Sequence, residues 1–403
     1  MTKDGRIINY VMISPNFPPK NYKFAKSLKE RGVNVLGLGD AFSYEIEKNL
    51  QDNLVEYVQC YPLSDIHQAI HKVQYLKDKY GHLDWLESNN EYWIEEDSTL
   101  REWFNIRSGL FHGDINKIKM KSEMKRYFEM AGVKYAKYHL SDNFENTLNF
   151  VKEVGYPIFV KPNVGVGAFG TKKISNDDEL RDFYSHKDNQ QYIFEQFIDG
   201  ELYSFDGITN SKGEIISKTS HKFLVSGEEL VNNDEDDAYF TYKSVPWRIN
   251  KVGCKIVKAF DVRSRCFHIE LFKLNKDHPG LGKKGEFVAL EVNMRSPGGY
   301  TPELISISLN TSYYDIFADM IVYDKNMQKK SKSTYFAMSA SRKDRFNYVH
   351  SDEEIKTKYK DFLVESGRYP DSISDEMGNT YYFARFRDYY QAMAFQKYVR
   401  KKK

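Results

Sequence analysis

One stretch of the chain, residues 289–299, constrains the fold most because polar and apolar side chains alternate along it. Successive side chains of a strand point to opposite faces. This predicts one face of Val288, Leu290, Val292 and Met294 and another of Phe287, Ala289, Glu291, Asn293 and Arg295. A carboxylate and an amide on one face suit Mg²⁺ beside phosphates, and an arginine offers a forked donor to a phosphoryl oxygen. The alternative interpretation is an edge strand with a solvated polar face.

A second alternating run, Cys266–Phe272, offers a partner for this strand. It places His268 and Glu270 on one face, so if the two strands pair, Glu270 faces the same cation as Glu291. Two or three oxygen ligands, completed by phosphates and water, suit magnesium. His268 has no second histidine at metal-ligand spacing, which favours a hydrogen-bonded structural histidine over a metal ligand.

Glycines in the segment 160–170 form the next pattern. Gly165, Gly167 and Gly170 spell G-x-G-x-x-G, but a dinucleotide site needs a helix directly after the glycines. A short strand and a turn are predicted there instead, and no Gly-Lys-Ser/Thr closes the loop as in a Walker motif. A glycine-rich hairpin still cradles phosphates with its backbone N–H groups, and Lys161 before it would add a point charge. A flexible hairpin with a surface lysine is the alternative.

The run Glu195–Glu201 places an acid at the end of a predicted strand, followed by an apolar pair and a turn. Such a segment would present backbone groups to a purine edge, and Glu201 would accept hydrogen bonds from ribose hydroxyls. Acidic turns are common, so this pattern decides nothing by itself.

The composition is that of a folded globular protein, because 41% of the 403 residues are hydrophobic. The formal charge of +2 is nearly balanced, so we expect neither a nucleic-acid nor a membrane partner. Three scattered cysteines form neither a disulfide framework nor a zinc signature. With no signal-peptide pattern and no run of about 20 apolar residues, the sequence predicts a cytoplasmic protein.

Hydrophobic periodicity predicts the order of the main elements. A strand–helix–strand order over residues 7–38 implies a βαβ unit in a parallel sheet. A helix rich in Lys, Met and Glu is predicted over Asn116–Ala131, and an exposed acidic loop over Ser226–Trp247. Strands are predicted near the C-terminus at Thr334–Ala340 and Thr380–Phe386, with helices between and after them.

Taken in order, these motifs resemble the ATP-grasp superfamily, in particular stand-alone carboxylate–amine ligases related to the large chain of carbamoyl-phosphate synthase. The resemblance implies a mixed α/β and α+β fold in three parts. The parts are a pre-ATP-grasp α/β domain (residues 1–115), an ATP-grasp domain (116–325, with a small subdomain 116–198 and a large one 199–325) and an α+β extension (326–403).

The same resemblance implies roles for individual residues around the nucleotide. Lys121, upstream of Gly132, matches the first ATP-binding lysine, with Lys117 as a nearby competitor. Lys161 matches the second lysine, which reaches the phosphates. The segment Gly165–Gly170 resembles the loop that closes over the nucleotide.

The run that follows is similar to the linker that meets adenine, at Glu195 and Phe197. Two features depart from the family pattern. The ribose-binding acid usually stands two positions after the glycine, where this chain has Leu202, and this leaves the role of Glu201 open. The loop Leu274–Gly285 is longer than the family often shows and borders either the acceptor site or solvent.

The resemblance further implies that Glu270, Glu291 and Asn293 bind Mg²⁺, with Mn²⁺ as an alternative, and that Arg295 steadies the transferred phosphoryl group. The implied activity is an ATP-dependent ligase, which activates a carboxylate as an acyl phosphate for attack by an amine and yields amide, ADP and phosphate. Two alternatives stay open: a carbamoyl-phosphate-synthase-like or other ATP-dependent phosphotransferase, and a non-catalytic ATP-binding regulatory protein.

The implied partners are a small-molecule carboxylate and an amine, neither of which the sequence identifies. Variable loops are expected to choose them, namely Ser226–Trp247, Leu274–Gly285, Ser296–Thr301 and Asn347–Ser351. A homodimer is the default expectation for the oligomeric state.

Overall fold

The first part of the chain is a parallel sheet with helices packed on it. The structure is a computed structural model that describes residues 5–165, 170–225 and 235–403. The strand order is β3-β2-β1-β4, with β1 parallel to both β2 and β4, which confirms the predicted βαβ unit. Its elements are β1 (Asn9–Ile13), α1 (Tyr22–Lys29), β2 (Asn34–Gly39), α2 (Lys48–Gln51), β3 (Glu56–Gln59), α3 (Ile66–Tyr80), β4 (Trp85–Glu87) and α4 (Ile94–Phe104).

A small antiparallel sheet follows, in the order β5-β8-β6-β7. One face of it packs against two helices through apolar residues that include Phe150, Leu180 and Phe194. The elements of this part are α5 (His112–Lys119), α6 (Lys121–Met130), β5 (Tyr138–Leu140), α7 (Phe144–Val154), β6 (Ile158–Pro162), β7 (Lys172–Ile174), α8 (Asp177–His186) and β8 (Tyr192–Gln196).

The remaining strands form one large sheet, in the order β14-β13-β9-β11-β12-β15-β17-β16 with β10 paired to β9. The elements are β9 (Gly200–Thr209), β10 (Ile215–Thr219), β11 (His221–Phe223), β12 (Ala238–Thr241), α9 (Trp247–Ala259), β13 (Arg265–Leu274), β14 (Phe287–Asn293), α10 (Thr301–Leu309), α11 (Tyr313–Tyr323), β15 (Phe336–Arg342), α12 (Asp352–Lys358), β16 (Leu363–Arg368), α13 (Asp371–Met377), β17 (Thr380–Phe386) and α14 (Tyr389–Val399). The C-terminal strands therefore extend this sheet, and the three-part division of the chain stays a prediction.

The prediction of a single helix over Asn116–Ala131 is wrong, because the helix is interrupted at Met120. That residue is extended (φ −89°, ψ 111°) and forms a β-bridge with Val164. The Lys121 N–H donates to the Asn163 carbonyl at 2.9 Å. The apolar periodicity continues across this interruption, so the sequence pattern does not reveal it. The interruption places the start of α6 next to the glycine segment.

Two further predictions need correction. In the acidic segment Ser226–Trp247, residues 226–234 lie outside the described residues, but Ala238–Thr241 is a buried strand between β11 and β15 rather than loop. The turn predicted after β7 is instead the start of α8, where the Asn176 side chain accepts from the Glu179 N–H. A strand still separates this helix from the glycines, so the objection to a dinucleotide site holds.

A buried ionic cluster joins the first domain to the large sheet. The Glu87 carboxylate at the end of β4 lies 2.8 Å from Arg101 Nη2 and 3.1 Å from Arg265 Nη2. Arg265 Nε also donates to the Met294 carbonyl at 2.7 Å. Burial disfavours the charge of Glu87, but the two arginines outweigh it and lower its pKa. The cluster fixes the end of β4 against the first residue of β13 and the end of β14.

No helix in the described ranges is both long and apolar enough to cross a membrane.

We predict that Glu87→Ala lowers the free energy of unfolding by about 3–5 kcal/mol, because it leaves two buried arginines without their shared partner. Chemical denaturation followed by circular dichroism measures this loss. Glu95→Ala is the matched control, since Glu95 binds Lys119 with a half-exposed carboxylate, and such pairs contribute less than about 1 kcal/mol. A loss below about 1 kcal/mol in Glu87→Ala would contradict a structural role for the cluster.

We also predict that Gly253→Ala destabilises the protein although it lies inside α9. Alanine normally stabilises a helix by about 1 kcal/mol relative to glycine. Here a Cβ would lie 2.1 Å from Phe205 Cδ1, and overpacking costs about 1–3 kcal/mol. Thermal unfolding should show a lower Tm for this variant, whereas Gly113→Ala in α5, with no atom within 4 Å of its added Cβ, should be neutral or stabilising.

Candidate active site

The candidate site is a cavity of about 760 Å³ between the small and the large sheet. Strands β6, β7 and β8 line one side, and β9, β11, β13 and β14 line the other. One end is rich in charged side chains, and the other is bordered by apolar ones. The first domain contributes Glu91 to the charged end.

The charged end is built on the pairing of β13 with β14. The strands are antiparallel, with Glu270 opposite Glu291 and His268 opposite Asn293. All four side chains line the cavity, and His268 and Glu270 share a face as the alternation along Cys266–Phe272 predicted. The predicted juxtaposition of Glu270 with Glu291 is therefore confirmed.

The face assignment in β14 is wrong for the residues before Glu291, because a bulge interrupts the ladder. The register shifts between Glu270 and Leu271, which pair with Glu291 and Ala289 and leave Leu290 unpaired. Ala289 therefore turns into the core with Val292, while Leu290 lines the cavity. An extra residue reverses the alternation on one side of a bulge, and a regular period of two does not reveal it.

The carboxylates at this end have opposite electrostatic tendencies. Burial raises the pKa of Glu291, and the neighbouring Glu270 adds to this effect. Burial also opposes the charge of Glu270, but His268, Arg295 and Lys161 outweigh it and lower its pKa. A cation between Glu270 and Glu291 would relieve the repulsion between these two facing carboxylates.

The residues present fit a divalent metal completed by other ligands. Asn293 Oδ1 is buried and has no hydrogen-bond partner within the described chain, so its oxygen is available to a cation. No group of three His, Cys, Asp or Glu side chains with metal-binding geometry occurs in the part of the chain that the structure covers. Two carboxylates and one amide match Mg²⁺ only if substrate phosphates and water complete the shell.

His268 belongs to a hydrogen-bonded chain that sequence reasoning did not anticipate. Its Nδ1 lies 2.5 Å from Asp206 Oδ1, and its Nε2 lies 3.3 Å from Glu270 Oε1. The other Asp206 oxygen lies 2.7 Å from Nδ1 of buried His221. Burial opposes charge on His268, but Asp206 raises the pKa of His268 to about 10. These contacts orient Glu270 from behind.

The predicted lysines lie on the opposite wall. Lys121, the first residue of α6, donates from Nζ to the Gly165 carbonyl at 3.0 Å. Lys117, the competing candidate, binds Asp114 at 2.6 Å and is not among the described lining residues of the cavity. Lys161 lines the cavity and lies 2.6 Å from Glu195.

Lys125 is a buried lysine that sequence reasoning missed. It follows Lys121 by one helical turn, so both side chains share a face of α6, and this spacing was a usable signal. Its ammonium contacts Glu195, which therefore lies between Lys125 and Lys161. Burial opposes the Glu195 charge, but the two lysines hold its pKa at about 2. The contact of Glu195 with adenine stays a prediction, because its carboxylate is already paired with both lysines.

The glycine segment is described only in part. Gly165 accepts the Lys121 hydrogen bond, and Gly170 has φ +74°, a left-handed conformation that favours glycine. Gly167 lies outside the described residues. Thr171 and Lys173, on the returning strand, line the cavity.

The linker end of the cavity has an aromatic wall. The rings of Phe159 and Phe197 stack with centroids 5.8 Å apart and planes at 10°. Lys173 Nζ lies 4.8 Å from the Phe197 ring centroid. Both rings line the cavity, and a flat heterocycle can pack on such a surface.

Glu201 also lines the cavity. Its carboxylate lies 2.5 Å from Lys222 Nζ and accepts from the Tyr203 hydroxyl at 3.0 Å. Leu202, at the position usual for the ribose-binding acid, lines the cavity too. The ribose contact of Glu201 therefore stays a prediction.

Arg295 has a partner from the N-terminal part of the chain, on the loop after β4. Its Nη2 and Nε lie 2.6 Å and 3.2 Å from one oxygen of Glu91, and its Nη1 donates to the Ser296 carbonyl at 3.1 Å. Both side chains line the charged end of the cavity. Glu91 carries no local sequence signal, because only the docking of the first domain brings it there.

The four candidate substrate loops are distributed unequally around the cavity, and the described part of Ser226–Trp247 contributes no residue to its lining. The loop Leu274–Gly285 contacts the linker, since Asn275 binds Asp199 at 2.9 Å. From Ser296–Thr301, Gly298 lines the charged end. The segment Asn347–Ser351 contributes no residue to the described lining.

Comparison with known proteins identifies a domain family. A family model of the ATP-grasp domain matches residues 154–301. The L-arginine-specific L-amino acid ligase of Bacillus subtilis is 25% identical over 268 residues, which cover 62% of this chain and 60% of that protein. The D-alanine–D-alanine ligase of Flavobacterium johnsoniae is 35% identical over 162 residues, which cover 37% of this chain and 47% of that protein. The matched regions thus span less than two thirds of either relative.

Solved structures agree with the fold over nearly the whole chain. An L-amino acid ligase from Bacillus licheniformis superposes with a TM-score of 0.70 at 14% identity, covering 97% of this chain and 96% of that one. A phosphoribosylglycinamide synthetase from Anaerococcus prevotii gives 0.69 at 14% identity, covering 96% of both. At 14% sequence identity, the similarity to these structures shows a shared fold and nothing more. Residues 154–301, which include the strands that carry Lys161, Glu270 and Glu291, thus match the ATP-grasp domain, and the chain has the mixed α/β fold of these solved structures.

Proposed function

We propose that this chain is an ATP- and Mg²⁺-dependent ligase that activates a carboxylate as an acyl phosphate for attack by an amine. The observation that carries the proposal is that Lys121, Lys161 and Arg295 surround the cavity end where Glu270 faces Glu291. The names of the relatives, an L-amino acid ligase and a D-alanine–D-alanine ligase, support amino acids as the substrate class.

The nucleotide would lie along the cavity from the aromatic wall to the charged end. Its purine would pack beside Phe159 and Phe197, because aromatic faces favour flat rings. Its phosphates would reach Lys121 and Lys161. Burial disfavours the charge of Lys161, but Glu195 and Glu291 outweigh it and raise its pKa, so this side chain is a cation when the phosphates arrive.

Glu270, Glu291 and Asn293 would hold the metal. When bound, Mg²⁺ neutralises the charge that develops on the β- and γ-phosphates. The hydrogen bond from His268 keeps Glu270 oriented towards Glu291. The unpartnered amide oxygen of Asn293 provides the third ligand.

Transfer of the γ-phosphoryl group to a carboxylate needs fixed positive charge beside the reacting oxygens. Arg295 offers two N–H groups on one side, at the end of β14. Lys161 lies on the facing wall. Neighbouring carboxylates position both groups before the substrate arrives, and the transferred phosphoryl oxygens would replace Glu91 as the partner of Arg295.

The proposal is tested by incubating the protein with ATP, Mg²⁺ and amino acids in pairs, and by measuring ADP and amide. Amide and ADP in equal amounts are the expected result. A stable phosphorylated product without an amine would indicate a phosphotransferase instead. Nucleotide binding without turnover across the panel would indicate a regulatory protein.

We predict that Glu291→Ala lowers ADP formation by about 10²–10³-fold, the usual cost of losing one group that stabilises charge in a transition state. Steady-state ADP release at saturating Mg²⁺ measures this. Glu286→Ala is the control, because Glu286 precedes the same strand but binds Lys134 in solvent. Equal rates in both variants would exclude Glu291 from the metal site.

We predict that Phe197→Ala weakens ADP binding about tenfold, because stacking of a base on an aromatic ring contributes about 1–3 kcal/mol. Isothermal titration calorimetry measures the affinity. Trp103→Ala, which removes an exposed ring from α4, should leave it unchanged. An unaltered Kd in Phe197→Ala would move the purine away from this wall.

A further inference from the structure

Glu91 is a carboxylate with no assigned task at the reacting end of the cavity. It lies on the loop after β4, and its side chain is only 9% exposed. One of its oxygens receives both hydrogen bonds from Arg295. If Arg295 binds the acyl phosphate as proposed, Glu91 would lie near the carbon that the amine attacks.

The loop that carries Glu91 is held in place from several sides. Ser88 donates to buried Asp97 from both its N–H and its hydroxyl, at 2.9 and 2.7 Å. Asn89 adopts a left-handed conformation with φ 54°, and Glu91, two residues later, lines the cavity. Glu87, which precedes Ser88, is bound to Arg265 of the large sheet. Glu91 is thus placed by fixed structure and does not depend on a loose surface loop.

The other carboxylates in the described lining of the cavity have partners or proposed tasks. Asp199 and Glu201 each bind a lysine at the linker end. Glu195 lies between two lysines, and the facing pair Glu270 and Glu291 are proposed metal ligands. Glu91 differs from them because its partner is the group that the acyl phosphate is expected to engage.

We propose that Glu91 binds the ammonium group of the amine substrate and accepts a proton from it. The inference rests on the proposed ligase function. When a substrate carboxylate or acyl phosphate accepts the hydrogen bonds of Arg295, the Glu91 carboxylate loses this partner. It can then bind a cationic amine through charge-assisted hydrogen bonds. The acceptor is accordingly a primary amine that arrives protonated, as amino acids do at neutral pH.

The chemical step balances with the groups named. Glu91 takes one proton from the ammonium, and the nitrogen lone pair attacks the acyl-phosphate carbon. The C–N bond forms as the C–O bond to the phosphoryl group breaks, and the phosphate leaves with that electron pair. The second proton of the nitrogen goes to the departing phosphate, which gives hydrogen phosphate and the amide. Glu91 later releases its proton to solvent.

The test separates activation of the carboxylate from use of the amine. Hydroxylamine is uncharged at neutral pH and attacks acyl phosphates without a base, so hydroxamate formation reports activation alone. In Glu91→Gln we expect hydroxamate formation within about threefold of the wild-type rate, because glutamine keeps an acceptor for Arg295. Amide formation should fall about 100-fold at pH 7, within the range for loss of a general base.

The pH profile gives a second readout. Amide formation by Glu91→Gln should rise about tenfold per pH unit below the pKa of the amine, because the fraction of free amine rises in that proportion. The wild-type profile should be flatter. Glu95→Gln, four residues further along the chain in α4 and paired with Lys119 at 2.8 Å, is the control and should match the wild type in both reactions.

Three results have distinct meanings. Parallel loss of hydroxamate and amide in Glu91→Gln would overturn the proposal, and it would assign Glu91 to the support of Arg295. Unchanged amide formation would overturn it as well. Absence of hydroxamate in the wild-type protein, with every carboxylate tried, would instead reject the ligase function on which the inference rests.

Discussion

The buried contact of Glu87 with Arg101 and Arg265 determines how the two halves of the site meet. Arg265 begins β13, the strand that carries Glu270, and its Nε also holds the Met294 carbonyl. The first domain is therefore bound to the two strands that provide the proposed metal ligands. Burying charges is costly, so such clusters are weak evidence of stability and serve better to fix one arrangement. Here the arrangement that is fixed is the approach of Glu91 to Arg295.

Charge is distributed within the cavity so that nearly every side chain has an opposite partner nearby. Glu195 is shared by Lys125 and Lys161, Glu270 is bound to His268, and Arg295 is bound to Glu91. Asn293 Oδ1 and Gln196 Oε1 depart from this pattern, because both belong to lining residues and are buried without a hydrogen-bond partner within the described chain. When a polyanion and its cation bind to such a site, the charged side chains exchange their present partners for the ligand. The surrounding strands then need little reorganisation.

The sequence was most informative where one strand follows a simple rule. The period of two along Cys266–Phe272 predicted the cavity-facing side chains of β13 and the pairing of Glu270 with Glu291. The same rule failed in β14, where a bulge at Leu290 reverses the faces. The local amino-acid composition gives no signal of this bulge. The break at Met120 was hidden for a similar reason, since the bridge to Val164 comes from a distant segment. Lys125 was predictable from helical spacing, whereas Glu91 was not, because its position depends on docking between domains.

The central claim is that oxygen from a carboxylate substrate ends in inorganic phosphate, since an acyl phosphate joins the two. Turnover of a carboxylate labelled with ¹⁸O, followed by mass spectrometry of the phosphate, measures this directly. We predict that one ¹⁸O atom appears in the phosphate for each amide formed. Phosphate without ¹⁸O would contradict the claim, because its fourth oxygen would then come from water that attacks the nucleotide instead of from the carboxylate.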